Sequence, residues 1–451
     1  MTSTLNSGGL IDLEVKKILN SPNPITNNYE YEIVVHTEKH NIYIKMLRSV
    51  EWLKDYNSNV SDFIVISFDI MGGEYIKKIY PNKDNLEATI TKLHKYNAVP
   101  PVSKRYKMVM INNVDGVEGS MYTKMSETDL NQTFKFTCEA QLILREFEGL
   151  RAVSVGGVYR DTDVNSVIST AFNALLSSKL TVHGKKAEVL LSKEAPQNDF
   201  VYNQIIVPSG TTLLDLPSWL QHKPGYGVYN GNIGTYFDLY NDKPTVFIYP
   251  LYKITPPTKG PELIIFHSNT SRYEFVENTY TKDGDILKIM CGNKIQNIDQ
   301  GSNSLINVGS AYIAQDPNVV MNRSFEVNDE KVQMNKNDRL EGVYITKRRD
   351  NVEKTLYVGN GENNYVVRSD MLKGTLSHYQ IPWNFCNFDL LIPGMGTTFV
   401  YEDERYGISK LYGTLQSGFA KYNHINGTTT GLLNIMVQNP NVYLAKEREE
   451  S

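Results

Sequence analysis

The sequence predicts a mainly β protein with a smaller α/β part in its middle. Three observations carry this. Residues alternate apolar and polar through most of the first 155 positions. The period turns helical between about 160 and 220, and short β-type runs return after 260. The 29 tyrosines and 16 phenylalanines, with many β-branched residues, lean the same way.

From Tyr29 to Val35, Tyr29, Tyr31, Ile33 and Val35 share one face, as in a strand with one buried side. Ile42, Ile44 and Met46 continue the alternation after His40-Asn41. "FIVISFDI" (63–70) is almost wholly apolar and predicts a central strand. "MGGEYIKKIY" reads as a Gly-Gly turn followed by another alternation. "NKDNLEATITKLHKY" (82–96) reads as a short helix stopped before Pro100-Pro101. "YKMVMI" and "TFKFTCEAQLI" are further strands. One helix among that many strands suits a small barrel or a sandwich over residues 1–155.

Residues 156–255 predict the mixed α/β unit. Val164, Val167, Ile168, Ala171, Phe172 and Leu175 recur at helical spacing behind Asp163, a plausible N-cap. A second helix carries Leu216, Trp219 and Leu220. Thr211 or Thr212 could cap it, but Pro217 fits best in the first turn of a helix capped by Asp215. "TVFIYPLY" then gives a strand. "ITPPTKGPE" (254–262) is a connection. Strands follow at "ELIIF", "RYEFVENTY", "DILKIMC", "EGVYIT", "KTLYVGNGENNYVVR" and "TGLLNIMVQ", with a hairpin expected at Gly359-Asn360-Gly361. Residues 315–338 read as a polar surface excursion, 301–440 as the second β block, and 441–451 as a charged tail.

The composition narrows the function. A net charge of −4 gives no pull toward nucleic acid or anionic membrane. Cys138, Cys291 and Cys386 are odd in number and never in a CxxC pair, which predicts buried thiols rather than disulfides or a zinc ribbon. The N-terminal "MTSTLNSGGLIDLEVKK" does not read as a signal peptide, and the apolar runs are too short to span a bilayer as helices. The sequons at Asn59 and Asn426 read as chance matches.

Candidate chemistry is sparse. In "HTEKH" (His36 to His40) the Glu stands at the wrong offset for a zincin, and the segment is a strand end and turn. Asp161, Asp163 and Asn165 open like a calcium loop, but Ser166 replaces the glycine and Phe172 the closing glutamate. "GNG" (359–361) and "PGMG" (393–396) are turns rather than phosphate cradles. Lys347, Arg348 and Arg349 form a solvated basic edge. Glu139 and Glu146 are the only carboxylate pair that could be nominated for hydrolysis, and nothing supports them. The expectation is a non-enzyme, with no catalytic, cofactor or metal residues.

Two stretches carry a family resemblance. "VPSGTTLLDLPSWLQHKPGYGVYNGNIGTYFDLYNDKPTVFIYPL" (207–251), after "DVNSVISTAFNALL", resembles the mixed domain of the baseplate hub of contractile-tailed phages. "WNFCNFDLLIPGMGTTFVYEDERYGISKLYGTLQSGFAKYNHINGTTTGLLNIMVQ" (383–438) resembles its closing strands. The hub half of type VI secretion spike proteins is built similarly. The resemblance implies two small antiparallel β-barrels flanking the mixed domain, with part of 256–300 returning to the first. It implies a homotrimeric ring that adapts the six-fold tail tube to a three-fold spike. Tube protein would lie above, the spike or puncturing protein below, and baseplate wedge proteins alongside. Phage DNA would pass the lumen without sequence-specific binding. No cofactor, metal or membrane anchor is implied. The setting would be the virion tail baseplate, after assembly in the host cytoplasm. On this reading Trp219, Leu220 and the tyrosine-rich strand form core and subunit-facing surface. A receptor-binding or fibre-attachment protein and a tail-tip cell-wall hydrolase are the alternatives.

Overall fold

The structure is a computed structural model. It describes residues 29–94, 100–112, 135–151, 153–179, 181–182, 185–186, 188–191, 196–223, 225–240, 243–257, 260–267, 280–291, 296–297, 313–314, 344–345, 365–366, 369, 372–373, 376–383, 386–403 and 407–438. The basic run at 347–349 and the GNG turn lie outside these residues, as does the polar excursion at 315–338.

Within them the protein is mainly β. The first strands are β1 (Tyr29–His36), β2 (Asn41–Tyr43), β3 (Met46–Asp55), β4 (Phe63–Met71), β5 (Leu86–His94), β6 (Val102–Asn112) and β7 (Lys135–Leu144). They pair in the order β2-β1-β5-β6-β7-β4-β3. β4 is central, as its apolar run requires, and buries Ile64, Ile66, Phe68 and Ile70 on one face.

Two local expectations fail here. Residues 86–94 form β5, not a helix. Leu86, Ala88 and Ile90 are buried at period two, and both edges of β5 are paired, to β1 and β6. The Thr89-Ile90-Thr91 run resists a helix, because branched Cβ atoms crowd the preceding turn. Conversely, 72–82 is helical, not a strand. In "YIKKIY" neither alternating face is apolar, whereas Tyr75 and Ile79 are buried one turn apart. Lys78 and Glu74 pair at 2.9 Å across that turn.

Helix α1 (Arg145–Arg151) precedes β8 (Ser154–Thr162), and helix α2 (Val164–Lys179) follows it. Asp163 caps α2 as expected, accepting from the Ser166 backbone N–H at 2.9 Å and the Ser166 hydroxyl at 2.5 Å. Short strands β9 (Thr181–Val182), β10 (Lys185–Lys186) and β11 (Glu188–Leu191) lead to β12 (Tyr202–Thr212), which pairs with β8 in a separate two-stranded ribbon.

Helix α3 (Leu216–His222) starts at Asp215 with Pro217 in its first turn, as expected. Its cap differs in detail: the Asp215 carboxylate accepts from the Thr212 hydroxyl at 2.6 Å instead of capping the helix itself. Leu216 and Leu220 are fully buried, but Trp219 is only half-buried, against Tyr226 with Lys223 above its ring. Trp219→Ala is therefore expected to cost about 1–2 kcal/mol, the share of a partly buried side chain. Urea unfolding of the two proteins measures it; a loss as large as that of a core residue would show the ring to be more enclosed.

β13 (Ile233–Tyr240) and β14 (Lys243–Pro250) form a hairpin, with β11 added parallel to β14. Both its faces are buried, which is why the sequence runs apolar without alternation. Phe237, Val246 and Ile248 face the core of the first sheet and the helices. Tyr236, Phe247 and Tyr249 face a second core. These tyrosines thus fill the chain's interior, the core part of the reading given to this strand.

The second core lies under β15 (Glu262–His267), β16 (Tyr280–Asp283), β17 (Ile286–Cys291), β21 (Leu376–Pro382), β22 (Gly396–Asp403), β23 (Gly407–Asn423) and β24 (Thr428–Gln438), and β18 (Gln296–Asn297) pairs with β21. Two further pieces, β19 (Ile313–Ala314) and β20 (Tyr344–Ile345), pair only with each other. β15 lies between β17 and β22, so among the described residues of this stretch the pairing is with the later strands and not with the first ones. The strand that reaches them is β23. Residues 407–414 pair with β22 and residues 417–423 with β3, while β24 follows 413–423. β24 pairs opposite both, so β22 and β3 occupy the same edge of β23 in succession, with a bulge at Gln416 between them. Gln416 accepts from the Tyr56 N–H through its backbone carbonyl and donates its side-chain amide to the Leu251 carbonyl. No closed barrel is found among the described strands. Where two separate barrels were expected, one continuous path of pairing runs through β23.

Candidate functional site

Six charged side chains meet where the two cores adjoin. Positions 50, 52 and 54 of β3 share a face, so alternation turns Lys54 inward behind Val50 and Trp52. Lys54 is 2% exposed and its Nζ lies 2.6 Å from Asp238 on β13 and 3.0 Å from Asp62, just before β4. The Tyr236 hydroxyl donates to Asp62 at 2.7 Å. β13 is docked there by its backbone, the Phe237 N–H donating to the Val60 carbonyl at 2.8 Å. Outward, Lys104 of β6 lies 3.9 Å from Asp238 and 3.1 Å from Asp389. Lys92 of β5 reaches Asp389 at 2.8 Å and the Asn387 side-chain carbonyl at 2.6 Å. Asp389 sits in a short 3₁₀ turn, Phe388–Leu390, capped by Asn387.

Burial alone would lower the Lys54 ammonium, but Asp238 and then Asp62 overcome this and hold its pKa well above the usual value. Asp62 is raised by its burial and by the nearby Asp238 carboxylate, against the pull of Lys54. Asp389 goes the other way: partial desolvation by the surrounding protein would raise it, but Lys92 and then Lys104 keep it well below the usual carboxylate range. Three ammonium groups thus balance three carboxylates. Beside them is a cavity of about 40 Å³, walled by Tyr31, Trp52, Tyr106, Phe388 and Cys386. Burial pushes the Cys386 thiol up to about 12, so it is neutral and a poor nucleophile at neutral pH. What this arrangement does chemically is join segments far apart in sequence.

The residues singled out by sequence fall elsewhere. His36 accepts or donates between Thr89 and Asn41, and His40 is exposed in the following turn. Glu139 lies on β7 and Glu146 in the first turn of α1. Gly394 takes φ +75 in the expected "PGMG" turn, packed on Tyr249. The three cysteines are buried thiols, and Cys291 donates to the Pro382 carbonyl. Among the described residues no cluster of three or more His, Cys, Asp or Glu could hold a metal ion, and no helix is long and apolar enough to cross a membrane. Sequence reasoning missed the Lys–Asp network. Its one legible signal is the lysine at an inward position of β3.

The fold and site define a β-rich protein whose buried charges bind one part of the chain to another. Residues 84–369 match the family model of the bacteriophage PBS1 gene 109 protein, more than half of the chain, and the chain belongs to that family. It is similar in fold to a tail protein of Neisseria meningitidis MC58 (11% identity, 91% of this chain and 97% of that one, TM-score 0.44). It is also similar to the 43 kDa tail protein of prophage MuSo2 from Shewanella oneidensis (9%, 90% and 96%, TM-score 0.42). A third likeness is to the E. coli c3393 protein, a type VI secretion component (8%, 90% and 76%, TM-score 0.40). No curated protein matches.

Proposed function

We propose that the protein is the central hub of a phage tail baseplate, a trimeric ring that adapts the six-fold tail tube to a three-fold spike. The observation that carries this is the order of elements after Trp383. The 3₁₀ turn, the "PGMG" turn, aromatic β22, "YGTL" within β23 and apolar β24 follow one another as the hub resemblance requires. Membership of a phage protein family supports the setting in a virion. The partners on this reading are two further copies of the chain, the spike, the tube protein and the wedge proteins, with DNA passing the lumen. The role is structural, with the two β blocks as the barrel-like units of the ring.

Light scattering across protein concentrations, beside class-averaged images, is expected to give three chains in a three-fold ring. A chain that stays monomeric at tens of micromolar, and remains so with its spike added, overturns the proposal. Cleavage of peptidoglycan that one carboxylate substitution abolishes would instead favour a tail-tip hydrolase.

A further inference from the structure

We propose that the turn Phe388–Leu390 is an electrostatic latch: Asp389, gripped by Lys92 and Lys104, holds the C-terminal segment over the cavity where the two cores adjoin and can let go without the fold unravelling. This does not depend on the hub reading. The first strands supply Lys54, Lys92 and Lys104 but only one carboxylate, Asp62, so by themselves they carry two unmatched positive charges at this place. Asp238 arrives with β13 and Asp389 with the turn, and each matches one. The two arrivals are not equivalent. Lys54, Asp62 and Asp238 are shut away from water, with side chains 2, 4 and 9% exposed, whereas Asp389 is 43% exposed and its partners Lys92 and Lys104 are 11 and 18% exposed.

A buried pair holds firmly because an unpaired partner has no water to turn to. A carboxylate open to solvent on one side exchanges its partner for water at lower cost, and salt reaches it to screen the pair. Asp389 is therefore the releasable end of the network. The turn is built around that contact: the Asn387 side chain that accepts from Lys92 also accepts from the Asp389 N–H at 3.3 Å. Phe388 stacks near Trp383 and supplies the apolar half of the hold. Lifting the turn would uncover the cavity that Phe388, Asp389 and Cys386 help to wall.

Cys386 reports the opening. The full-length protein is treated with a maleimide, and labelling of each cysteine is followed by peptide mass spectrometry at low and high salt. Cys386 is expected to react roughly 5- to 30-fold faster at about 1 M salt than at about 0.05 M, the ratio that a loss of modest pairing energy produces. Cys138, in the first core, and Cys291, in the second core against the Pro382 carbonyl and not beside the turn's ion pair, should not accelerate. Asp389→Asn should label fast at low salt and lose the salt response. Labelling of Cys386 that ignores salt, or that rises in step with the other two cysteines, overturns the latch. So does an Asp389→Asn protein that labels as slowly as the native one, or that fails to fold.

Discussion

Lys54→Met lowers the stability of the folded chain by about 3–5 kcal/mol, because it strands buried carboxylates without their cation. Lys54 is the only ammonium within 3.0 Å of both Asp62 and Asp238 among the described ion pairs, and Lys104 at 3.9 Å from Asp238 cannot replace it. The loss should depend on pH with a definite sign. Asp62 is already raised by its burial and by Asp238, and the variant removes the lysine that pulls it down, so its folded pKa lies further above its unfolded one. The folded state then binds a proton at Asp62 more tightly than the unfolded state, so acidification favours folding at this group. The deficit against the native protein should thus be largest near neutral pH and shrink as pH falls toward the raised Asp62 pKa. Adding Asp238→Asn to Lys54→Met should recover part of the stability at neutral pH. Urea midpoints for the three proteins at two pH values test this; a deficit that grows in acid would show that the lysine contributes mainly by packing its stem.

Gly413→Val costs about 3 kcal/mol or more, at the upper end of overpacking effects. Gly413 sits in β23 between Thr397 of β22 and Val437 of β24. A Cβ there would stand 1.9 Å from the Met436 carbonyl oxygen and 2.5 Å from the Val437 Cα. Both obstacles are backbone, so no rotamer change relieves the clash and the strands must separate. Gly427→Ala, in the open β23–β24 turn, makes a useful contrast. Its φ of +60 strains any side chain, but a Cβ there meets nothing within 4 Å, so the cost should be smaller and local. Thermal melts rank the two. Equal losses would indicate that the β23–β24 seam yields as easily as a turn.

Much of the local structure is legible in the residues themselves. Strands with one buried side, such as β1 and β4, declare themselves through alternation, and α2 declares itself through helical spacing behind Asp163. Ambiguity arises where two periods fit. Leu86, Ile90 and Leu93 suit a helix face as well as Leu86, Ala88 and Ile90 suit a strand, and the pairing partners that decide are remote in sequence. The charge network is less legible still. Lys54 and Asp238 are separated by 184 positions and Lys92 and Asp389 by 297, and each alone reads as an ordinary surface charge. Only the inward phase of Lys54 on β3 hints at burial. The apolar run of β14 announces that both faces are covered, but not that two different cores cover them.

β23 has 17 residues and so extends about 55 Å at a strand's usual rise. Its hydrogen bonds to β22, β24 and β3 lie across its length. Tension along its axis is met by many such bonds at once, since sliding the strand requires them to break together, whereas peeling would break them one at a time. The two halves of the molecule are therefore joined by a tie that resists shear far better than a flexible linker could. A pull applied at the β22 end reaches the β3 end with little give.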